Sequence, residues 1–292
     1  MFGIGMNAVL AAFGGGLFGA ALGALPAFIF CGFAVMAGEA LALAVGTESI
    51  TGAIGFGTLF GPHIAFGGGA AATAYAGKKG RLESGADILA PLYGIEENWD
   101  ILLIGGIFGI LGLVIEAFLA DIGTPTDTIA LTVAISAFIH RVAFSDTGIF
   151  GTYDPEKSDS RWNPPSDIAW LPWQMNTSQL LPLGLGVGLV AGHITLVTES
   201  VFIMFGITAA SLIILQTMGK GPVTHHIAFP AAAAAMATGS VIWGGIFGIL
   251  GAFIGEFFAR LFYDWGDTHI DPPACTIAVL ITAAMLFLGF SF

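Results

Sequence analysis

The chain has 292 residues, of which 56% are hydrophobic and only 10% charged, with a mean hydropathy of +0.88 and a net charge of −12. A soluble surface needs about a quarter of its residues charged, so this composition excludes an ordinary soluble domain and assigns most of the surface to lipid. The acidic balance also argues against nucleic acid as a partner.

A helix needs roughly 20 apolar residues to cross a bilayer. On that measure the predicted spans lie near 5–25, 26–46, 50–76, 101–120, 126–144, 179–193, 194–218, 222–240, 241–262 and 274–292. The first run has no Lys or Arg ahead of it, which is unlike a signal peptide, so it is expected to remain in the mature protein. The run over 179–218 has no polar loop and is divided only around Gly192-His193. Two stretches are hydrophilic. Residues 77–100 carry Lys78, Lys79, Arg81, Glu83 and Asp87, and residues 145–177 hold Pro155, Pro164, Pro165 and Pro172 with Trp162, Trp170 and Trp173, as suits a loop at headgroup level. Cys31 and Cys275 lie in apolar runs and read as small core residues, with no disulfide or metal framework.

The strongest pattern is an internal repeat. Gly105-Gly106-Ile107-Phe108-Gly109-Ile110-Leu111-Gly112 recurs unchanged from Gly244 to Gly251, with a carboxylate after each copy, Glu116 and Glu256. Upstream, His63-Ile64-Ala65-Phe66 recurs as His226-Ile227-Ala228-Phe229, and downstream Pro125 to Ala130 matches Pro273 to Ala278. The expected organisation is therefore a first repeat over 1–144, a hydrophilic linker over 145–177 and a second repeat over 178–292. The fold class is an all-α polytopic membrane protein of two homologous halves, each with about five segments and one broken or re-entrant helix. With ten crossings and an external N-terminus, Lys78, Lys79, Arg81, Arg141, Lys157, Arg161, Lys220 and Arg260 all fall on the cytoplasmic side, and the halves are inverted. If the two histidine segments instead dip in and return, the halves are parallel and Arg260 moves to the far side.

Inverted repeats with interrupted helices are an architecture of secondary transporters, where freed backbone N–H groups and the helix dipole favour an anion near the midplane. The candidate breaks are Gly61-Pro62-His63 and, in the second half, Gly221 to His226, so Gly61, Pro62, His63, Thr224, His225 and His226 are the candidate solute-binding residues. The histidines could also exchange protons. Neighbouring positions such as His225 and His226 point different ways on a helix, so no metal site is expected. Carboxylates in apolar runs are functional candidates because an ionisable group there is costly: Glu39, Glu116 and Glu256, with Asp127 near a helix start, form the candidate set for coupling ions. Asp127, with Thr124 and Thr126, equally reads as a helix cap, and Glu199 as a residue one turn inside a helix end.

No Gly-x-Ser-x-Gly, His-Glu-x-x-His or phosphate-binding loop is present, so an enzyme is not expected, and no cofactor is implied. The expected function is a secondary transporter or uniporter for a small anionic solute, working by alternating access in the plasma membrane and coupled to protons or sodium. A channel and a non-transporting subunit of a larger complex are the alternatives. The expected partners are the lipid bilayer, the solute or ion and a second copy of the chain; glycine faces such as Gly14-Gly15-Gly16 and Gly184-x-Gly186-x-Gly188 suit helix contacts either within one subunit or between subunits.

Overall fold

The computed structural model describes residues 3–46 and 50–292, and among these its regular structure is all helical, with no strand. The first half contains α1 (Met6–Leu22), α2 (Ala24–Val45), α3 (Gly67–Lys78), α4 (Trp99–Asp121) and α5 (Thr128–Phe144). The second contains α6 (Thr177–Thr198), α7 (Ile203–Ala210), α8 (Ile213–Met218), α9 (His225–Thr238), α10 (Val241–Phe258) and α11 (Pro272–Leu288). Four helices among the described residues are long and apolar enough to cross a membrane: Ala24–Val45, Trp99–Asp121, Thr177–Thr198 and Val241–Tyr263. Their outward faces carry bare apolar side chains such as Leu43, Ile107, Val190 and Ile242, the surface expected of a membrane protein.

Glycine sets the packing. α1 and α4 run antiparallel with Gly16 against Gly105 and Gly109, and α6 and α10 repeat the contact with Gly188 against Gly244 and Gly248. The same correspondence holds one layer further in. The carbonyl of His63 rests on Gly112, and that of His226 on Gly251; Gly68 meets Gly105, and Ala231 meets Gly244. The repeated octet is thus a strip of bare backbone on which each histidine segment lies. Without side chains in the way, main chains approach closely and gain dispersion contacts, which is the main attraction available between helices in lipid. Gly14 and Gly186, by contrast, have open space beside them within this chain.

The halves meet through two antiparallel pairs. α2 packs on α7, with Gly32 against Ala209 and Ala210 and Gly206 against Met36. α5 overlaps α11 by their first turns, with the Thr126 hydroxyl donating to the Ala278 carbonyl at 2.7 Å. The hydrophilic segments interlock at one end of the bundle. Lys78 pairs with Asp146, and Gly85 bridges to Thr268. Arg260 donates to the carbonyls of Trp162 and Met175, and Trp265 to that of Arg161. All eight Lys and Arg residues belong to this end. The opposite end is made of short turns, 122–127, 199–202 and 239–240.

Three boundaries differ from expectation. The run over 179–218 is divided at Glu199 to Phe202, not at Gly192-His193: α6 continues to Thr198, where Glu199 takes a left-handed conformation (φ 56°) as its cap. Gly192 sits inside α6 facing Gly244 and Ala235, so it serves packing and not a turn. The first two helices meet at Gly23, and Pro26 lies inside the first turn of α2, where its missing N–H is harmless. In the second half the non-helical chain is 219–224, ahead of α9, whereas in the first half residues 56–61 interrupt a single path that runs from a π-type turn at Thr51–Gly55 through another at Pro62–Phe66 into α3.

Adding one methyl to the strip separates its role from general flexibility. Gly112→Ala would collide with the His63 carbonyl, and Gly251→Ala would place a carbon 2.8 Å from that of His226. Each is expected to cost about 1–3 kcal/mol, seen as a lower melting temperature in detergent. Gly14→Ala, with nothing nearby, should leave it unchanged; equal melting of all three proteins would show that these contacts do not govern stability.

Candidate functional site

Between the halves lies a cavity of about 390 Å³. Its wall is mainly aromatic and aliphatic: Phe28 and Phe66 from the first half face Phe205 and Phe229 from the second. Polar groups enter at the starts of helices. Asp127 caps α5, accepting the Ala130 N–H, and Asp271 caps α11, accepting the Ala274 N–H at 2.8 Å. Such caps satisfy donors that a helix cannot pair internally. Asp271 also binds the ring of His269, Nε2 to Oδ1, at 3.0 Å, and His269 is 2% exposed. No Lys or Arg is among the wall residues.

Two further helix starts reach the wall without a capping side chain. The helical path that leads into α3 begins at Pro62, after Gly61 in an extended conformation, and α9 begins at His225 after Thr224. The Gly61 carbonyl accepts from Ile64 and Ala65, and the Thr224 carbonyl from Ile227 and Ala228. At α9 the N–H groups of His225 and His226 therefore have no partner within the helix, whereas Pro62 has no N–H and the first one of the other path belongs to His63, outside the wall.

The predicted residues fall into separate places. Pro62, His225 and Asp127 line the cavity. The His225 ring packs on Phe28 at 4.8 Å and on Phe205 at 6.2 Å between ring centres. Gly61 and Thr224 stand one residue behind as the caps. His63 and His226 are buried but not in the wall; His226 turns toward Gly255 of α10 and Trp170. Glu39 lies elsewhere, accepting from Thr51 at 2.9 Å and from Ser200 at 2.5 Å, and so ties α2 to the turn after α6. Glu116 accepts from Thr128 at 3.0 Å, joining α4 to α5, and Glu256 pairs with Arg260 at 2.8 Å on its own helix. The carboxylates do not form one cluster.

Sequence reading passed over His269 and Asp271. Matching Pro125 with Pro273 sets Asp127 opposite Cys275, which hides that α11 starts one turn earlier than α5. The signal was there, since an aspartate directly before Pro272 and Pro273 is a helix-start pattern. Arg141 was read only as a topology marker. It is fully buried and donates to the carbonyls of Gly148, Ile149, Phe262 and Thr268 and to the Thr268 hydroxyl. Planar and five-donor, it pins the loop that carries His269 to α5. In that loop Asp267 is buried in part, yet hydrogen bonds from Ser145, Asp146 and Thr147 hold its carboxyl below the usual range.

A family profile matches residues 3–159 and again residues 152–290, and it is that of a family of unknown function, DUF7973. The chain belongs to that family. It carries the family unit twice, which agrees with the repeated histidine and glycine contacts. No curated protein and no solved structure matches it.

The loop end of the cavity holds a titratable support. Asp264 accepts the N–H of Trp170, a wall residue, at 2.8 Å, while burial pushes its carboxyl up to about 6. A raised folded-state value means that its contribution to stability is present in acid and is lost as pH rises through 6. Asp264→Asn should therefore melt above the parent at pH 8, with the gap closing at about pH 3, below the unfolded carboxylate range; a pH-independent gap would contradict this.

Proposed function

We propose that the chain is a secondary transporter or uniporter that moves a small anion with an apolar body across the plasma membrane by alternating access. The observation that carries this reading is the cavity between the halves, with two uncapped helix starts, at Pro62 and His225, opening onto an aromatic wall. The amides of His225 and His226 at the start of α9, with the His225 ring, whose Nδ1 has no partner, would hold the charged end, and the phenylalanine rings the apolar body. A channel fits less well, because a wall of phenylalanines gives a passing ion little to replace its hydration shell. A scaffold has no need of a cavity.

In this reading the chain crosses ten times in two inverted halves. Antiparallel contact pairs such as α1 with α4 and α6 with α10 support this reading, and the gathering of the basic residues at one end favours that end in the cytoplasm and the N-terminus outside. α5 and α11 have 17 residues each, about 26 Å, slightly less than the hydrocarbon thickness, and the chain ahead of each enters the bundle non-helically. In this arrangement α2 with α7 and α5 with α11 form the seam about which the halves rock.

Three radiolabelled probes of similar shape test the charge preference in proteoliposomes: benzenesulfonate, benzenesulfonamide and benzyltrimethylammonium. Saturable uptake above protein-free vesicles is expected for benzenesulfonate, and His225→Ala, which keeps the amide but removes the unpartnered ring nitrogen, should lower it about tenfold, the worth of one hydrogen bond to a charged group. Uptake of the ammonium probe alone would overturn the anion reading, and uptake of none would overturn transport.

A further inference from the structure

We propose that the His269–Asp271 pair is the proton-binding group of this cavity and that the anion is carried together with a proton; this rests on the transport reading above. The argument begins with charge. The wall holds Asp127 and Asp271 and no Lys or Arg. The nearest guanidinium, Arg141, is committed to carbonyls and a hydroxyl of the adjoining loops. An anion entering this space meets like charge in a low-dielectric setting, and a proton taken up beside it removes that repulsion.

His269 is built to take it. Asp271 accepts at both oxygens, from the Ala274 N–H and from Nε2 of His269, so the neutral ring carries its hydrogen on Nε2 and a lone pair on Nδ1. That Nδ1 is buried and has no hydrogen-bond partner, although the residue lines the cavity. A proton added at Nδ1 makes the imidazolium, Nε2–H continues to donate to Asp271, and the pair passes from one net negative charge to none. No other bond changes. The groups facing the pair are Tyr263 from the turn after α10, whose ring is 5.1 Å away, His140 and Arg141 from α5, and His225 from α9, with Asp127 also on the cavity wall. Phe66 closes the first-half side at 5.9 Å. The first half has no equivalent among the described residues: Asp127 caps α5 without a histidine bonded to it, so they hold one such pair and not two.

The test uses the whole protein in proteoliposomes with benzenesulfonate, which stays ionised at every pH used and cannot accumulate by crossing as a neutral acid. With the voltage clamped and the outside acidic, one proton per anion predicts about tenfold accumulation per pH unit. His269→Gln and Asp271→Asn are expected to bring the probe to equal concentration on both sides without accumulating it; the ratio, not the rate, is read. Accumulation by both variants, or none by the parent despite equilibration, overturns the proton pair and leaves transport standing. No uptake by the parent overturns transport itself. Should the variants fail to elute as single species, proton uptake on benzenesulfonate binding by the parent in weakly buffered detergent decides: about one proton per probe is expected, and none overturns the proposal.

Discussion

An unpaired backbone amide in hydrocarbon is so unfavourable that non-helical chain persists there only where protein surrounds it. That constraint organises this molecule. The interruptions at 56–61 and 219–224 are each held on one side by protein, with Thr58 against Gly15, Phe56 and Val223 in the cavity wall and the Gly221 carbonyl accepting from Trp173, and the helices that follow them lie on glycine strips that let main chain meet main chain. A side chain anywhere on those strips would push the interrupted segments outward, toward lipid that cannot satisfy them.

Polarity is distributed along the bundle with the same economy. One end gathers the hydrophilic stretches and every basic residue, tied by Arg141, Arg260 and the Lys78–Asp146 pair. The other end consists of short turns, where Glu39 and Glu116 each accept hydrogen bonds from hydroxyl donors of neighbouring segments. The buried carboxylates are thus mostly fasteners between helices, and only Asp127 and Asp271 face the cavity. In the proposed carrier, the long crossing loops would hold one end firm while the turns at the other end allow movement. Arg141 has a particular place in that division, because it joins α5 of one half to the loop that delivers His269 and Asp271 from the other.

Much of this was legible in the residues. Hydropathy placed most helices to within a few positions, and the repeated octet with its upstream histidine announced the duplication before any coordinate. The same octet named its own partner: His63 with Gly112 and His226 with Gly251 are the contacts that a repeat of pattern implies. The boundary at Glu199 was not legible, since a glycine inside a helix and a glycine at a turn look alike in one dimension, and only the neighbour across the groove tells them apart.

By itself, then, the chain's chemistry determined membrane residence, duplication and the two candidate breaks, because these follow from local composition and from matches along one strand of sequence. Tertiary structure alone decided which ionisable groups share a space. Pro62, His225, Asp127, His269 and Asp271 are brought to one cavity by helices from both halves, while Glu39, Glu116 and Glu256, equally eligible by hydropathy, are drawn into separate pairings. The reason is geometric: burial along a helix is set by which neighbour it meets, and that neighbour is chosen by glycine contacts distant in sequence from the charge itself.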